Sequence, residues 1–188
     1  MVCDRCLVDV GHLVEPTIRG VTTRIDGRRL EARVAAAFSY QDPVVALVLA
    51  AKNGGRFDLL AQLARWLPVF VDTDYDTVSW VPASREGRRR RGYDQGREMA
   101  RILAKRLEVP LRSTLVRHGH RRQRGQSRQD RLQGPVFVAR SSHAKRVLLV
   151  DDVFTTGGTI AAAARALMAH GSITVDATVV AAASHENG

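Results

Sequence analysis

Residues 147–159 (VLLVDDVFTTGGT) concentrate more chemistry than any other stretch of this chain. Four aliphatic residues read as a buried strand, and two acids, two glycines and three threonines follow where strand gives way to helix. In open α/β sheets, ligands bind at the carboxyl ends of strands, so this placement marks a site. Gly157 and Gly158 permit close backbone approach. The N–H groups of the turn from Thr155 through Thr156 to Thr159, with the first turn of the helix, form a cradle for a phosphate. Two adjacent carboxylates beside such a cradle would repel phosphate alone. They suit a ligand that also carries vicinal hydroxyls, each Asp accepting hydrogen bonds from a sugar, with a divalent cation nearby. Asp151 and Asp152 with the turn therefore read as a ribose-phosphate site. The competing reading makes the acids a helix cap and the glycines a plain turn. Neither GxxxxGK[ST] nor GxGxxG occurs, which disfavours a P-loop nucleotidase or a dinucleotide enzyme.

The elements that must hold this segment follow from apolar spacing. The chain has 188 residues, 45% hydrophobic and 26% charged, the balance of one soluble globular domain with at most a small appendage. Residues 1–30 are polar and rich in Gly and Arg without sustained period, and read as an appended segment leading into a strand near 33–40. Residues 44–51 (VVALVLAA) predict a helix stopped at Asn53-Gly54-Gly55, and the spacing from Phe57 to Leu67 predicts a second, stopped by Pro68. A short strand is expected at 77–82 and a helix from about Gln95 to Leu107, with Met99, Ile102, Leu103 and Leu107 inward. Residues 118–134 hold no bulky apolar residue except Leu132 and read as a long mobile loop. An alanine-rich helix at 159–170 and a buried strand at 173–183 complete the alternation, which argues for a parallel α/β sheet with right-handed crossovers. Trp66, Phe57 and Phe70 fall at packing positions, and His118, His120 and His143 read as surface residues.

The apolar run at 44–51 is far too short to cross a bilayer, and Met1-Val2 is followed by CDRC rather than an export leader. Two cysteines, Cys3 and Cys6, cannot build a disulfide framework, so a reducing cytoplasm is the expected compartment. The net charge of +10 is local. Residues 85–131 hold 16 of the 29 Lys and Arg against 5 of the 19 Asp and Glu, which leaves the rest of the chain nearly neutral. Such a field attracts phosphorylated partners, small polyphosphate or nucleic acid alike. Within it, the run Arg88 to Arg90 reads either as a solvated loop or as a nonspecific nucleic-acid patch with few aromatics for stacking.

The segment VLLVDDVFTTGGT resembles the motif that binds 5-phosphoribosyl 1-pyrophosphate (PRPP) in type I phosphoribosyltransferases. Val81-Pro82 followed by Arg91-Gly92-Tyr93-Asp94-Gln95 is similar to the VP…RGFNQ stretch of the ComF/GntX family, the competence-associated members of that group. Lys52 after an apolar helix, and Gln123, Gly125, Ser127 and Arg131, resemble further family positions. The amino-terminal CxxC is similar to half of the family's zinc ribbon. Asp94 stands where Asn is usual, Gln126 where Leu is frequent, Gly134 where Asn is usual, and one CxxC replaces two. Four ligands close a structural zinc site, so Cys3 and Cys6 need a lost first pair, or His12 and another group, or bind no zinc.

The resemblance implies a parallel-sheet type I phosphoribosyltransferase fold over residues 31–188, with residues 1–30 as a degenerate zinc-ribbon remnant. It implies PRPP held with Mg²⁺ by Asp151, Asp152, Val153, Thr155, Thr156, Gly157, Gly158, Thr159 and Lys52, with Arg91 at the pyrophosphate. The 118–134 loop is either disordered or a lid whose Arg124, Arg128 and Arg131 neutralise a leaving pyrophosphate. Catalysis would displace pyrophosphate from C1 with a nitrogen nucleophile, and Asp151, Asp152 and Arg91 would carry it. The alternative is a non-catalytic accessory protein that senses PRPP or a nucleotide while its basic surface meets single-stranded DNA or a DNA-uptake helicase. The acceptor base stays open, as does the oligomeric state, a homodimer included.

Overall fold

The computed structural model describes residues 11–53, 56–118, 135–140 and 144–183. β1 (Thr17–Ile25) and β2 (Arg28–Ser39) form an antiparallel hairpin. Asp26 and Gly27 between them take φ of 48° and 79°, the two left-handed residues of a two-residue type I′ turn. Val21 and Thr23 point inward between exposed Thr22 and Arg24, the alternation of a strand with one buried face. The expectation that all of 1–30 stands outside the sheet is corrected here. Asp-Gly is the turn signal, and the sheet starts at Thr17.

After β2 come α1 (Val44–Asn53) and α2 (Phe57–Arg65), then β3 (Thr77–Trp80). α3 (Arg85–Arg91) and α4 (Gln95–Leu107) precede β4 (Leu115–His118) and β5 (Val136–Ala139), and β6 (Arg146–Phe154), α5 (Gly158–Ala169) and β7 (Thr174–Ala182) close the order. Among the described residues the main sheet runs β1-β2-β7-β6-β3, parallel except for β1, and β4 and β5 pair antiparallel as a separate ladder. This is the mixed α/β architecture that alternating strands and helices predict. Along β6, Val147 and Leu149 face one way and meet Ile160, Ala164 and Leu167 of α5. Leu148 and Val150 face the other and join a core with Val48 of α1, Leu59 and Leu63 of α2, and Met99 and Leu103 of α4. A strand buried on both faces reads as a continuous aliphatic run for this reason, and each fully buried Leu contributes about 2 kcal/mol.

Two local expectations change. The run Arg88 to Arg91 is helical rather than a loop. Ser84 Oγ accepts the Gly87 N–H at 3.0 Å to start α3, and Gly92, at φ 80°, ends it with its N–H on the Arg88 carbonyl at 2.8 Å. Four arginines in the last turn favour the negative end of the helix dipole, and none of the α3 residues is buried. Trp66 caps the C-terminus of α2 and is 39% exposed, whereas Phe70 is buried beneath the Arg33 guanidinium at 4.1 Å. The Phe57 side chain, residues 119–134, His120 and His143 lie outside the described residues. The ends of that basic segment are nonetheless anchored, because Leu115 to His118 pair with Val136 to Ala139. Among the described residues no helix is long and apolar enough to cross a membrane.

A buried carboxylate fastens the amino-terminal ends of the parallel strands. Asp176, 2% exposed, accepts from Arg33 Nη2 at 2.6 Å, Arg33 Nε at 3.1 Å and the Tyr75 hydroxyl at 2.8 Å. Arg33 reaches on to Asp72 at 2.7 Å and Thr73 at 2.8 Å, which ties the segment before β3 to β2 and β7. Removing the buried partner strands both donors. Asp176→Ala is expected to cost about 3 kcal/mol, a fall in unfolding midpoint of about 6–12 °C by calorimetry. Asp72→Ala, whose carboxylate faces water, should barely move the midpoint; equal shifts would show that Asp176 is not the anchor.

Candidate functional site

A hollow of about 390 Å³ opens at the carboxyl ends of β3, β6 and β2. β6 supplies its floor. The parallel ladder with β7 continues through Asp151↔Val179 and Val153↔Ala181, so the two acids lie inside the paired length of the strand. This corrects their expected place beyond the strand end: β7 runs as far as Ala182 and holds β6 extended to Phe154.

Consecutive strand residues project to opposite faces. Asp152 meets α1, where its Oδ2 pairs with Lys52 Nζ at 2.8 Å. Asp151 turns its Oδ1 back to accept the Asp152 N–H at 2.9 Å. Burial, and then repulsion from Asp152, pushes the Asp151 carboxyl above the ordinary carboxylate range; Lys52 and Arg117 only partly oppose this. A hollow thus stands above both acids, with one of them engaged by a lysine and the other short of a cation.

The wall on the β3 side is built by local capping. Asp94 caps α4 with Oδ1 on the Arg97 N–H and takes the Ala83 N–H on Oδ2 at 3.1 Å. Gly96 lets that helix start close against β3, since a Cβ there would sit 3.2 Å from the Val81 carbonyl oxygen. The Tyr93 hydroxyl donates to the Ala51 carbonyl at 3.0 Å, tying this wall to α1 beside Lys52. Held this way, Ser84 and Arg91 face the hollow, and Arg91 Nε is buried without a partner among the described residues. Arg117 enters from β4, its Nη1 3.4 Å from the Pro82 carbonyl oxygen and its guanidinium over the Phe137 ring.

The hollow therefore brings together Lys52, Arg91, Asp151, Asp152, Val153, Thr155 and Thr159 of the residues predicted from sequence. Thr156, Gly157 and Gly158 are not part of its lining. Gly157, at φ 78°, is the N-cap of α5, and a Cβ there would meet the Phe154 ring at 2.9 Å and Val21 at 3.2 Å. Its position is set by packing and conformation. Among the described residues no side chain caps α5, in contrast to α3 and α4, so its first amide groups keep their donors for another acceptor. Arg124, Arg131, Cys3 and Cys6 lie outside the described residues. Sequence reasoning missed Arg117 and Tyr40, which also line the hollow. Alternation in LVR and VFVA on either side of the basic segment was the available signal for Arg117.

The strained Asp151 charge has a measurable consequence. A carboxyl whose folded-state pKa is raised loses stability as the pH climbs from the unfolded value to the folded one. Without ligand or metal, Asp151→Asn should unfold at a higher temperature than the parent at neutral pH, with little difference near pH 3. The gap should widen through the mildly acidic range; a constant gap would contradict the raised value.

The profile of the phosphoribosyl transferase domain matches residues 94–188, which span α4 through β7 and include Arg117, both acids and the turn after β6. Competence protein ComFC of Bacillus subtilis (strain 168) is 32% identical over 106 residues, 55% of this chain and 42% of that protein, so the match spans less than half of ComFC. Among solved structures, orotate phosphoribosyltransferase from Aeropyrum pernix is 19% identical, with 97% of this chain and 93% of that chain covered at a TM-score of 0.41. The allosteric regulatory enzyme of purine biosynthesis is 15% identical, with coverages of 89% and 42% and a TM-score of 0.47. With half of its length matched by the profile, from the α4 cap through the acidic strand end, the chain belongs to the phosphoribosyl transferase domain family and is ComFC-like.

Proposed function

We propose that the hollow binds PRPP and that the protein transfers its phosphoribosyl group to a nitrogen acceptor with release of pyrophosphate. The observation that carries this reading is convergence. Two carboxylates, Thr155 and Thr159 on either side of the turn into α5, and Arg91 and Arg117 line one polar space, matching a ligand with a diol between two phosphoryl ends. Thr155, Thr159 and the first amides of α5 would take the 5′-phosphate. Asp151 and Asp152 would take the ribose hydroxyls, and Arg91 the pyrophosphate, where its buried Nε gains an acceptor. Lys52 would be drawn from Asp152 toward the phosphoryl oxygens as the diol replaces it.

The donor chemistry of Asp151 and Asp152 suits Mg²⁺. Asp151 and Asp152, two hard carboxylates lining the hollow, are the residues that would hold the ion. When bound, the ion would neutralise charge on the pyrophosphate. The protein's own part is to hold C1 in position and to stabilise charge as it develops. The C1–O bond breaks with its electron pair leaving on pyrophosphate, the acceptor nitrogen forms the C1–N bond, and that nitrogen's proton passes to water or to the departing pyrophosphate. No covalent enzyme intermediate is required.

Binding is tested by calorimetry with PRPP and Mg²⁺. The double variant Asp151→Asn, Asp152→Asn should weaken PRPP about a hundredfold or more, and unchanged affinity would sink the assignment. Arg91→Ala should weaken PRPP about tenfold and leave ribose 5-phosphate unaffected. Turnover is then read as pyrophosphate release across a panel of nucleobases. If none reacts while PRPP still binds, and single-stranded DNA binds in a salt-sensitive way through the exposed α3 arginines, the accessory reading replaces the enzymatic one.

A further inference from the structure

Four consecutive arginines close α3, and they differ in what stands one helical turn before them. Side chains four residues apart lie one above the other on a helix, and a long side chain folds back over the turn N-terminal to its own Cα. Arg88 has Ser84 four positions earlier, Arg89 has Arg85, Arg90 has Glu86 and Arg91 has Gly87. Only Arg91 has bare backbone beneath it. Its guanidinium uses that space: a Cβ on Gly87 would stand 2.7 Å from Arg91 Nη2 and 3.3 Å from Arg91 Cζ, well inside van der Waals contact, and 3.0 Å from Ser84 Oγ. Arg88, Arg89 and Arg90 are exposed, whereas Arg91 is half-buried and is the one of the four that lines the hollow. Gly87 is not part of that lining. Its backbone is helical rather than left-handed, and its N–H bonds Ser84 Oγ as any residue but proline would. Glycine at such a position weakens a helix relative to alanine.

We propose that Gly87 is a positioning residue: by carrying no side chain it seats the Arg91 guanidinium at the hollow, and so selects which of four arginines meets the pyrophosphate. This rests on the role given to Arg91 in the preceding subsection. A methyl group at position 87 keeps the helix and displaces the far end of a flexible side chain. To regain ordinary contact distance the guanidinium would have to retreat by about 1 Å. Charge-assisted hydrogen bonds are made at about 2.7–2.9 Å, so a retreat of that size lengthens or breaks them. The loss falls on the pyrophosphate end, because Asp151 and Asp152 stand on β6 and the phosphate turn leads into α5, both apart from α3.

A double-mutant cycle isolates this contact. The parent, Gly87→Ala, Arg91→Ala and the double variant are titrated as full chains by calorimetry, with PRPP and Mg²⁺ and separately with ribose 5-phosphate. Gly87→Ala should weaken PRPP by about three- to tenfold, no more than Arg91→Ala does, and keep ribose 5-phosphate within about twofold. Its unfolding midpoint should equal or exceed the parent's, because alanine is the better helix residue, so affinity and stability part company. In the double variant the change at 87 should add nothing to the loss from Arg91→Ala, as for two residues acting through one contact. Unchanged PRPP affinity in Gly87→Ala, equal losses for both ligands, or a further loss in the double variant overturns the positioning role while the assignment of Arg91 stands. If Arg91→Ala leaves PRPP untouched, or the parent does not bind PRPP, the reading of the hollow fails and this inference with it.

Discussion

Two like charges on neighbouring residues of one buried strand end are hard to hold, and the site of this protein is organised around that difficulty. Asp151 and Asp152 share the last paired stretch of β6 and cannot both ionise cheaply in a half-buried place without cations. Lys52 from α1 meets one of them directly; Arg117 from β4 reaches the other only through the field. The arrangement is incomplete among the described residues, with a carboxyl pushed toward its neutral form and the Arg91 Nε lacking an acceptor. The proposed ligand, with hydroxyls at its centre and phosphoryl groups at its ends, would complete both deficits together.

The parallel sheet makes this economical by separating strength from reactivity. At the amino-terminal ends of β2 and β7, Asp176 is saturated by Arg33 and Tyr75. At the carboxyl ends the same strands leave Tyr40, Asp151, Asp152 and the segment after β3 around a space. Stacked aliphatic residues between the two ends, Val147 to Val150 above all, keep them rigidly related. The wall carrying Arg91 depends less on the core than on caps. Asp94, Gly96 and Tyr93 pin a short basic helix that has no buried residue of its own.

Much of the fold was legible because its signals are periodic and local. The alternation of strands and helices from 77 onward, the Asn-Gly-Gly stop after α1 and the glycine-rich turn after β6 each depend on a handful of neighbouring residues. The hairpin of β1 and β2 was overlooked because charged residues interrupt its alternation, although Asp-Gly between the strands carried the information. The helix α3 was hidden by the four consecutive arginines that end it, a run whose charge suggests a loop until Ser84 and Gly92 are recognised as its caps. Gly157 was given to the ligand from its place in the motif, yet it is the aromatic ring of Phe154 and the side chain of Val21 that exclude a Cβ there.

By itself, then, the sequence determined a strand, a turn and a helix, two adjacent acids at the carboxyl end of that strand, and a belt of positive charge. Each is a property of residues adjacent in the chain, where period and spacing suffice. Tertiary structure decided which cation answers which acid, and that Arg117 and Tyr40 belong to the same hollow. Those relations follow from the strand order β1-β2-β7-β6-β3, which brings residues 40, 52, 91, 117 and 151 to one edge of the sheet. Strand order is set by the burial of both sheet faces over the whole domain, a sum that no local spacing encodes.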